Sequence, residues 1–311
     1  MARRPSSIAL TEDGLTILCA DKFGDVYSLP LIPSPEEEEK EMLEREKKEQ
    51  AKFVPSASVL TVHSGRNRKI LEEQLKQAET KQLQARETPK FKHDLLLGHV
   101  SMLTDIVCTT YQGRSYIATA DRDEHIRISR GLPQAHIIEG FCQGHDEFIS
   151  RLCISKHKTH LVSGGGDAHL YVWDWLDRDS RNAPVRLIER LPIRDAVMDF
   201  YRKQGASAVD EKLKVAVSGI WAVPFNRPND SDEILVACEG VPALFQFSLN
   251  NFRPQARGAL PLAGNALDVA FVEHDKDTRV AVVSIDHVHQ SGSTTEIRDD
   301  KVSTRVKEVC R

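Results

Sequence analysis

The sequence predicts an all-β chain built as a β-propeller with a charged insert, and three observations predict it. A strand, a tight polar turn and a second strand recur around residues 21–25, 121–125 and 164–169. Two of these units follow a Gly-His pair, Gly98-His99 and Gly144-His145, whose histidines are 46 residues apart. The later unit closes on Trp173-Asp174. A Gly-His…Trp-Asp repeat with a period in the forties marks propeller blades, small sheets that bury their faces only by stacking on neighbours. About five blades are recognisable.

Taken in order, residues 1–33 hold the first portion of a blade. Residues 8–10 and 16–20 are apolar runs joined by Glu12-Asp13-Gly14, and Asp21-Lys22-Phe23-Gly24-Asp25 turns the chain into a third strand over 26–29. Pro30 and Pro35 then end the β pattern. Residues 34–90 form a charged insert. Its run 36–52 is rich in Glu and Lys with only Met42 and Leu43 as sizeable apolar groups, which fits a solvated helix or a disordered stretch. Arg66, Arg68 and Lys69 make a basic patch, followed by a weakly amphipathic helix marked by Leu71, Leu75 and Ala78. On composition that patch reads as an exposed insert edge before it reads as an RNA-phosphate contact.

Blades resume over 91–290. A His on the loop, a hydroxyl on the second strand, the turn Asp and the Trp of the third strand are placed to form one buried hydrogen-bonded chain. His145, Ser163, Asp167 and Trp173 make a complete set. His99, Thr119 and Asp123 make a second that lacks its Trp, because Ser129 stands there. Residues 233–238 with 243–247, and 267–272 with 279–284, read as further strand pairs. Residues 185–214 include a stretch, 193–201, that is more helical than stranded and is expected to be an excursion between blades. A polar tail without pattern is expected from 291 to 311.

Composition narrows the function. The 311 residues are 40% hydrophobic and carry a net charge of −4, which argues against gripping nucleic acid with the whole surface. Six cysteines without Cys-x-x-Cys spacing read as reduced intracellular thiols, and no signal peptide or membrane span is apparent. No catalytic triad or nucleotide fingerprint stands out, so an enzyme is not expected. Asp121, Asp123 and His125 alternate and raise the question of a metal, as does Asp286-His287-Val288-His289; structural turn roles win in both places. Gly164-Gly165-Gly166 lacks a following helix and is a turn, not a phosphate loop. Arg127, with Asp121, Arg122 and Glu124 at its mouth, is either a partner contact or a member of an intra-blade salt-bridge cluster, and the residues alone do not decide between them.

A resemblance becomes visible on residues 96–105, on the Asp121–Ser129 stretch with its Asp-Arg-Asp-Glu-His-Ile-Arg core, on Gly140-Phe141 with 144–148, and on 21–27. From near residue 1 to about 290 the chain resembles the WD-repeat, non-catalytic subunits of the eukaryotic, especially fungal, tRNA (guanine-N7) methyltransferase. The resemblance implies a seven-bladed propeller that binds the catalytic subunit and keeps it competent to methylate the variable-loop guanosine of tRNA. S-adenosylmethionine is then expected on the partner, and no cofactor or metal on this chain. It also implies nuclear residence and a heterodimer in which Asp121, Arg122, Glu124, His125 and Arg127 face the partner, with at most a minor tRNA contact from Arg66, Arg68 and Lys69. Family members carry blade sequence ahead of the matching point, so the ring is expected to be incomplete here, shortened before Met1 and after about residue 290. The competing reading is a general WD-repeat adaptor in another nuclear or cytoplasmic assembly.

Overall fold

A computed structural model describes residues 4–32, 62, 64–86, 93–176, 185–205, 213–225, 232–249, 255–273, 279–298 and 307–309. The acidic run 36–52 lies outside the described residues. Five antiparallel sheets follow one another along the chain. The first holds β1 (Pro5–Leu10), β2 (Thr16–Asp21), β3 (Asp25–Pro30) and β4 (Asp94–Gly98). The second holds β5 (Leu103–Tyr111), β6 (Arg114–Asp121), β7 (Ile126–Arg130) and β8 (Ile138–Cys142). The third is β9 (Ile149–Ile154), β10 (Leu161–Gly165), β11 (Leu170–Asp174) and β12 (Arg186–Leu191). The fourth is β13 (Val217–Ala222), β14 (Glu233–Cys238), β15 (Ala243–Ser248) and β16 (Gln255–Pro261). The fifth has β17 (Ala266–Glu273), β18 (Arg279–Ile285) and β19 (Lys307–Val309).

Each sheet is a meander, and the first strands of successive sheets lie against one another in the series β1, β5, β9, β13, β17. That is the arrangement of propeller blades around an axis. Period-2 alternation sends side chains to two different neighbours. On β7, Ile126 and Ile128 are fully buried against Tyr171 and Trp173 of the third sheet. Arg127 and Ser129, between and beyond them, turn the other way, toward the first sheet. The interface of the first two sheets is closed by Leu18, Ala20, Val26, Leu103, Ile106 and Ile117. One rigid peg crosses three blades: the buried carboxylate of Asp105 accepts the Ser7 hydroxyl at 2.6 Å and the Leu152 amide at 2.7 Å. Burial pushes the Asp105 carboxyl up despite these bonds.

Two expectations change. Residues 186–191 are not excursion but β12, the outer strand of the third sheet, which pairs with β11. Its burial is slight at most positions, so no alternation announces it. The helix expected just after it is present as α2 (Ile193–Lys203), which buries Ile193, Val197, Met198 and Phe200. Beyond residue 290, Lys307–Val309 pair with β18. In the insert, α1 (Gly65–Arg86) carries Arg66, Arg68 and Lys69 exposed in its first turns, while Leu71 is buried and Leu75 partly exposed.

Candidate partner-binding site

The turn between β6 and β7 is built by one carboxylate. Asp121 Oδ1 accepts the amides of Asp123 at 2.9 Å and His125 at 3.0 Å, an Asx turn that needs no other side chain. The turn between β2 and β3 is its copy: Asp21 Oδ1 accepts the amides of Phe23 at 2.8 Å and Asp25 at 3.0 Å. The structural Asp of the second blade is therefore Asp121, not Asp123. Asp123 is exposed and free of the buried chain assigned to it from the sequence.

Superposing the two turns places Glu124 where Gly24 stands. Gly24 has φ +95, and a Cβ there would collide with the His99 carbonyl. Glu124 has φ +65, the left-handed region that disfavours a residue with a Cβ. A strained, exposed glutamate thus occupies a position that the first blade gives to glycine. Strain of this kind costs of order 1 kcal/mol and tends to persist at functional positions.

The third blade forms the complete buried chain. Trp173 Nε1 donates to Ser163 Oγ at 2.8 Å, Ser163 Oγ meets His145 Nε2 at 2.7 Å, and His145 Nδ1 lies 2.6 Å from Asp167 Oδ2. A carboxylate only accepts, so Nδ1 carries a proton toward Asp167, and Nε2 shares its bond with the Ser163 hydroxyl. Burial pushes the Asp167 carboxyl up, but the bonds from His145 and from the Asp146 amide outweigh it and hold it below its ordinary value.

The second blade begins the same chain and then departs from it. His99 Nε2 meets Thr119 Oγ1 at 2.9 Å, as expected. His99 Nδ1, however, donates to the Gly24 carbonyl of the first blade at 3.0 Å and not to Asp123. Ser129 stands where the third blade has Trp173, and Arg127 binds that serine rather than Thr119: its Nε donates to the buried Ser129 Oγ at 3.2 Å, and its Nη1 to the Gly98 carbonyl at 3.1 Å. Burial lowers the His99 pKa, and the Arg127 charge lowers it further.

Arg127 is half-buried, and burial draws its guanidinium pKa down. Both acceptors it has are neutral. Among the described residues no carboxylate forms an ion pair with it: His125 faces Asp121 at 3.7 Å, and Arg130 takes Glu139 at 2.5 Å. The intra-blade salt-bridge cluster is absent for this arginine. A desolvated cation fixed by neutral acceptors is costly on its own and gains most when an external carboxylate completes it. Around it stand exposed apolar groups: Phe141, directly opposite Arg127 on β8, Val100 in the Gly-His loop, and Phe23 in the copied turn. Arg122, Glu124 and His125 are exposed on the turn itself.

Two other motifs raised by the sequence make local contacts among the described residues. Asp286 Oδ2 is engaged by His289 Nδ1 at 2.6 Å, a local clasp. The Gly164–Gly166 run offers no cofactor cradle, since a Cβ at Gly165 would meet the Phe148 carbonyl of the same blade. Sequence reasoning missed the Arg127–Ser129 bond, Phe141 and the strain at Glu124. The last was detectable, because the glycine of the first turn marks the position as left-handed.

Comparison with known proteins agrees with the propeller-blade fold. The family described as tRNA methyltransferase TRM82 WD40 domain matches residues 1–309. The tRNA (guanine-N(7)-)-methyltransferase non-catalytic subunit TRM82 of Phaeosphaeria nodorum is 54% identical over 99% of this chain and 63% of its own length. The protein of the same name from Sclerotinia sclerotiorum is 45% identical over 96% of this chain and 57% of its own, and that from Coccidioides immitis 44% over 98% and 58%. The chain thus spans about three fifths of the length of these curated relatives. With its stacked four-stranded blades, its Gly-His…Trp chain and a family match along nearly its whole length, this chain belongs to the TRM82 WD40 family.

Proposed function

We propose that this chain acts as the non-catalytic, scaffolding part of a tRNA (guanine-N7) methyltransferase, binding the catalytic subunit as a heterodimer. The names of its relatives supply the class. The observation that carries the site is Arg127, a half-buried cation without a carboxylate, displayed beside a strained turn that also exposes Arg122, Glu124 and His125. The partner brings a carboxylate to Arg127 and apolar side chains to Phe141 and Val100, and the rigid blade holds its active site in a competent form. Methyl transfer to the variable-loop guanosine, with S-adenosylmethionine bound, belongs to the partner. Contact with tRNA from this chain is minor and falls to Arg66, Arg68 and Lys69. The nucleus is the expected compartment, on family resemblance.

The test is co-purification of this chain with a guanine-N7 methyltransferase catalytic subunit, followed by methyl transfer to tRNA. Complex formation, with activity above that of the catalytic subunit alone, is the expected outcome. A folded chain that binds nothing and leaves activity unchanged points to an adaptor in another assembly.

A further inference from the structure

Arg127 has a counterpart one blade along. In the second sheet Arg127 on β7 stands opposite Phe141 on β8, and in the third Tyr171 on β11 stands opposite Arg190 on β12. Thr119 pairs with Arg127, and Ser163 with Tyr171, so the two cross-strand pairs sit at the same level of their sheets. Arginine and aromatic have simply exchanged strands. Both pairs lie beside the turn that joins the second and third strands, at the end of the blades where the Gly-His loops pack.

The guanidinium carbon of Arg190 lies 5.1 Å from the centroid of the Tyr171 ring, a cation–π geometry. Tyr171 is itself buried, stacked on Trp173 at 5.8 Å and against His145 at 4.0 Å. The buried chain of the third blade is thus the platform on which Arg190 rests. Arg190 is exposed, and among the described residues its guanidinium has no ion-pair partner. A side chain that normally samples many rotamers is held in place with its charge uncommitted, which lowers the entropy cost of meeting a partner.

We infer that the catalytic subunit's footprint extends from the second blade onto the third, where Arg190 is a second anchor that meets a carboxylate of that protein. This rests on the proposed function above. The surroundings select a protein over RNA. Asp123, Glu124, Asp146 and Glu147 are exposed at the same end, and Phe148 and Val100 are exposed in the two Gly-His loops. A phosphate backbone meets repulsion from those carboxylates, whereas a protein surface of mixed charge and apolar groups matches every element of the face.

The experiment is an equilibrium titration of the catalytic subunit with the wild-type chain, Arg127→Glu, Arg190→Glu and Arg190→Lys, with melting temperatures recorded for each. The expected result is that Arg190→Glu weakens the heterodimer at least about tenfold with its melting temperature unchanged. Arg190→Lys keeps the charge over the ring and recovers most of the affinity. Wild-type affinity for Arg190→Glu, beside a weakened Arg127→Glu, overturns the second anchor and leaves the proposed function standing. An unchanged heterodimer whose affinity for tRNA falls assigns Arg190 to RNA and also overturns it. Should Arg190→Glu melt early, Arg190→Gln replaces it and is judged by the same outcomes. Failure of the wild-type chain to bind overturns both readings.

Discussion

The second and third blades start from the same hydrogen-bonded plan and use it differently. The third closes it: Trp173, Ser163, His145 and Asp167 satisfy one another away from water. The second opens it: Ser129 replaces the tryptophan, Arg127 donates to that serine, and the turn is loaded with exposed charge. The first arrangement contributes stability. The second retains strain at Glu124 and an unneutralised cation at Arg127, two features that lower stability and gain value only in a complex. Under the proposed function, one repeat anchors the fold and its neighbour presents a site.

Breaking the closed chain should have the largest effect. Trp173→Ala removes a fully buried indole and its bond to Ser163, and should cost about 3–5 kcal/mol in urea unfolding. Ser163→Ala leaves Trp173 Nε1 and His145 Nε2 without their shared partner, and a loss of about 1–3 kcal/mol is expected by the same measurement. A smaller loss for Ser163→Ala than for a matched surface Ser→Ala change would contradict the closed-chain account.

A pH scan probes a different joint between the third and fourth blades. Asp232, before β14, takes the His157 ring at 2.6 Å and the His157 amide at 3.1 Å. Burial pushes its carboxyl up, but His160, Ser155 and His157 together hold it at about 2, against an ordinary value of 3.8. The folded pKa is the lower one, so the stabilisation is fully present above about pH 4 and is lost as pH falls toward 2. Screening by nearby solvent keeps it to about 1–2 kcal/mol. Stability of the wild-type chain should decline over that window, and Asp232→Asn should flatten the decline. Parallel pH curves for the two would remove Asp232 from the account.

The open blade should respond with the opposite sign. Glu124→Gly places the residue of the first turn in the same left-handed conformation, and should stabilise the chain by about 0.5–1 kcal/mol in thermal melts. Destabilisation would show that Glu124 is held by contacts and not by strain. Asp123→Ala, on an exposed side chain outside the buried network, should shift stability by less than about 0.5 kcal/mol, in contrast to Asp121→Ala, which deletes both turn bonds.

The sequence made β7 legible because Ile126 and Ile128 alternate and announce one buried face, whereas β10 is buried on both faces and is marked by its place in the repeat. The outer strands β8, β12 and β16 pass unread for the converse reason. They are largely exposed, carry few apolar residues in register, and are strands because of what they pair with. The complete chain of the third blade was visible as a spacing of four residue types. The altered chain of the second was not, since nothing local says that a serine in place of a tryptophan invites an arginine two residues earlier, or that a carbonyl from another blade takes the histidine.

The central claim is that Arg127 serves binding and Trp173 serves the fold. The direct measurement is the dissociation constant of the catalytic subunit for the wild-type chain and for Arg127→Glu, with urea midpoints recorded on the same samples. Affinity should fall by about thirtyfold or more, while the midpoint moves by less than about 0.5 kcal/mol. Unchanged affinity, or a midpoint that collapses as far as that of Trp173→Ala, would mean that the second blade's arginine is structural after all.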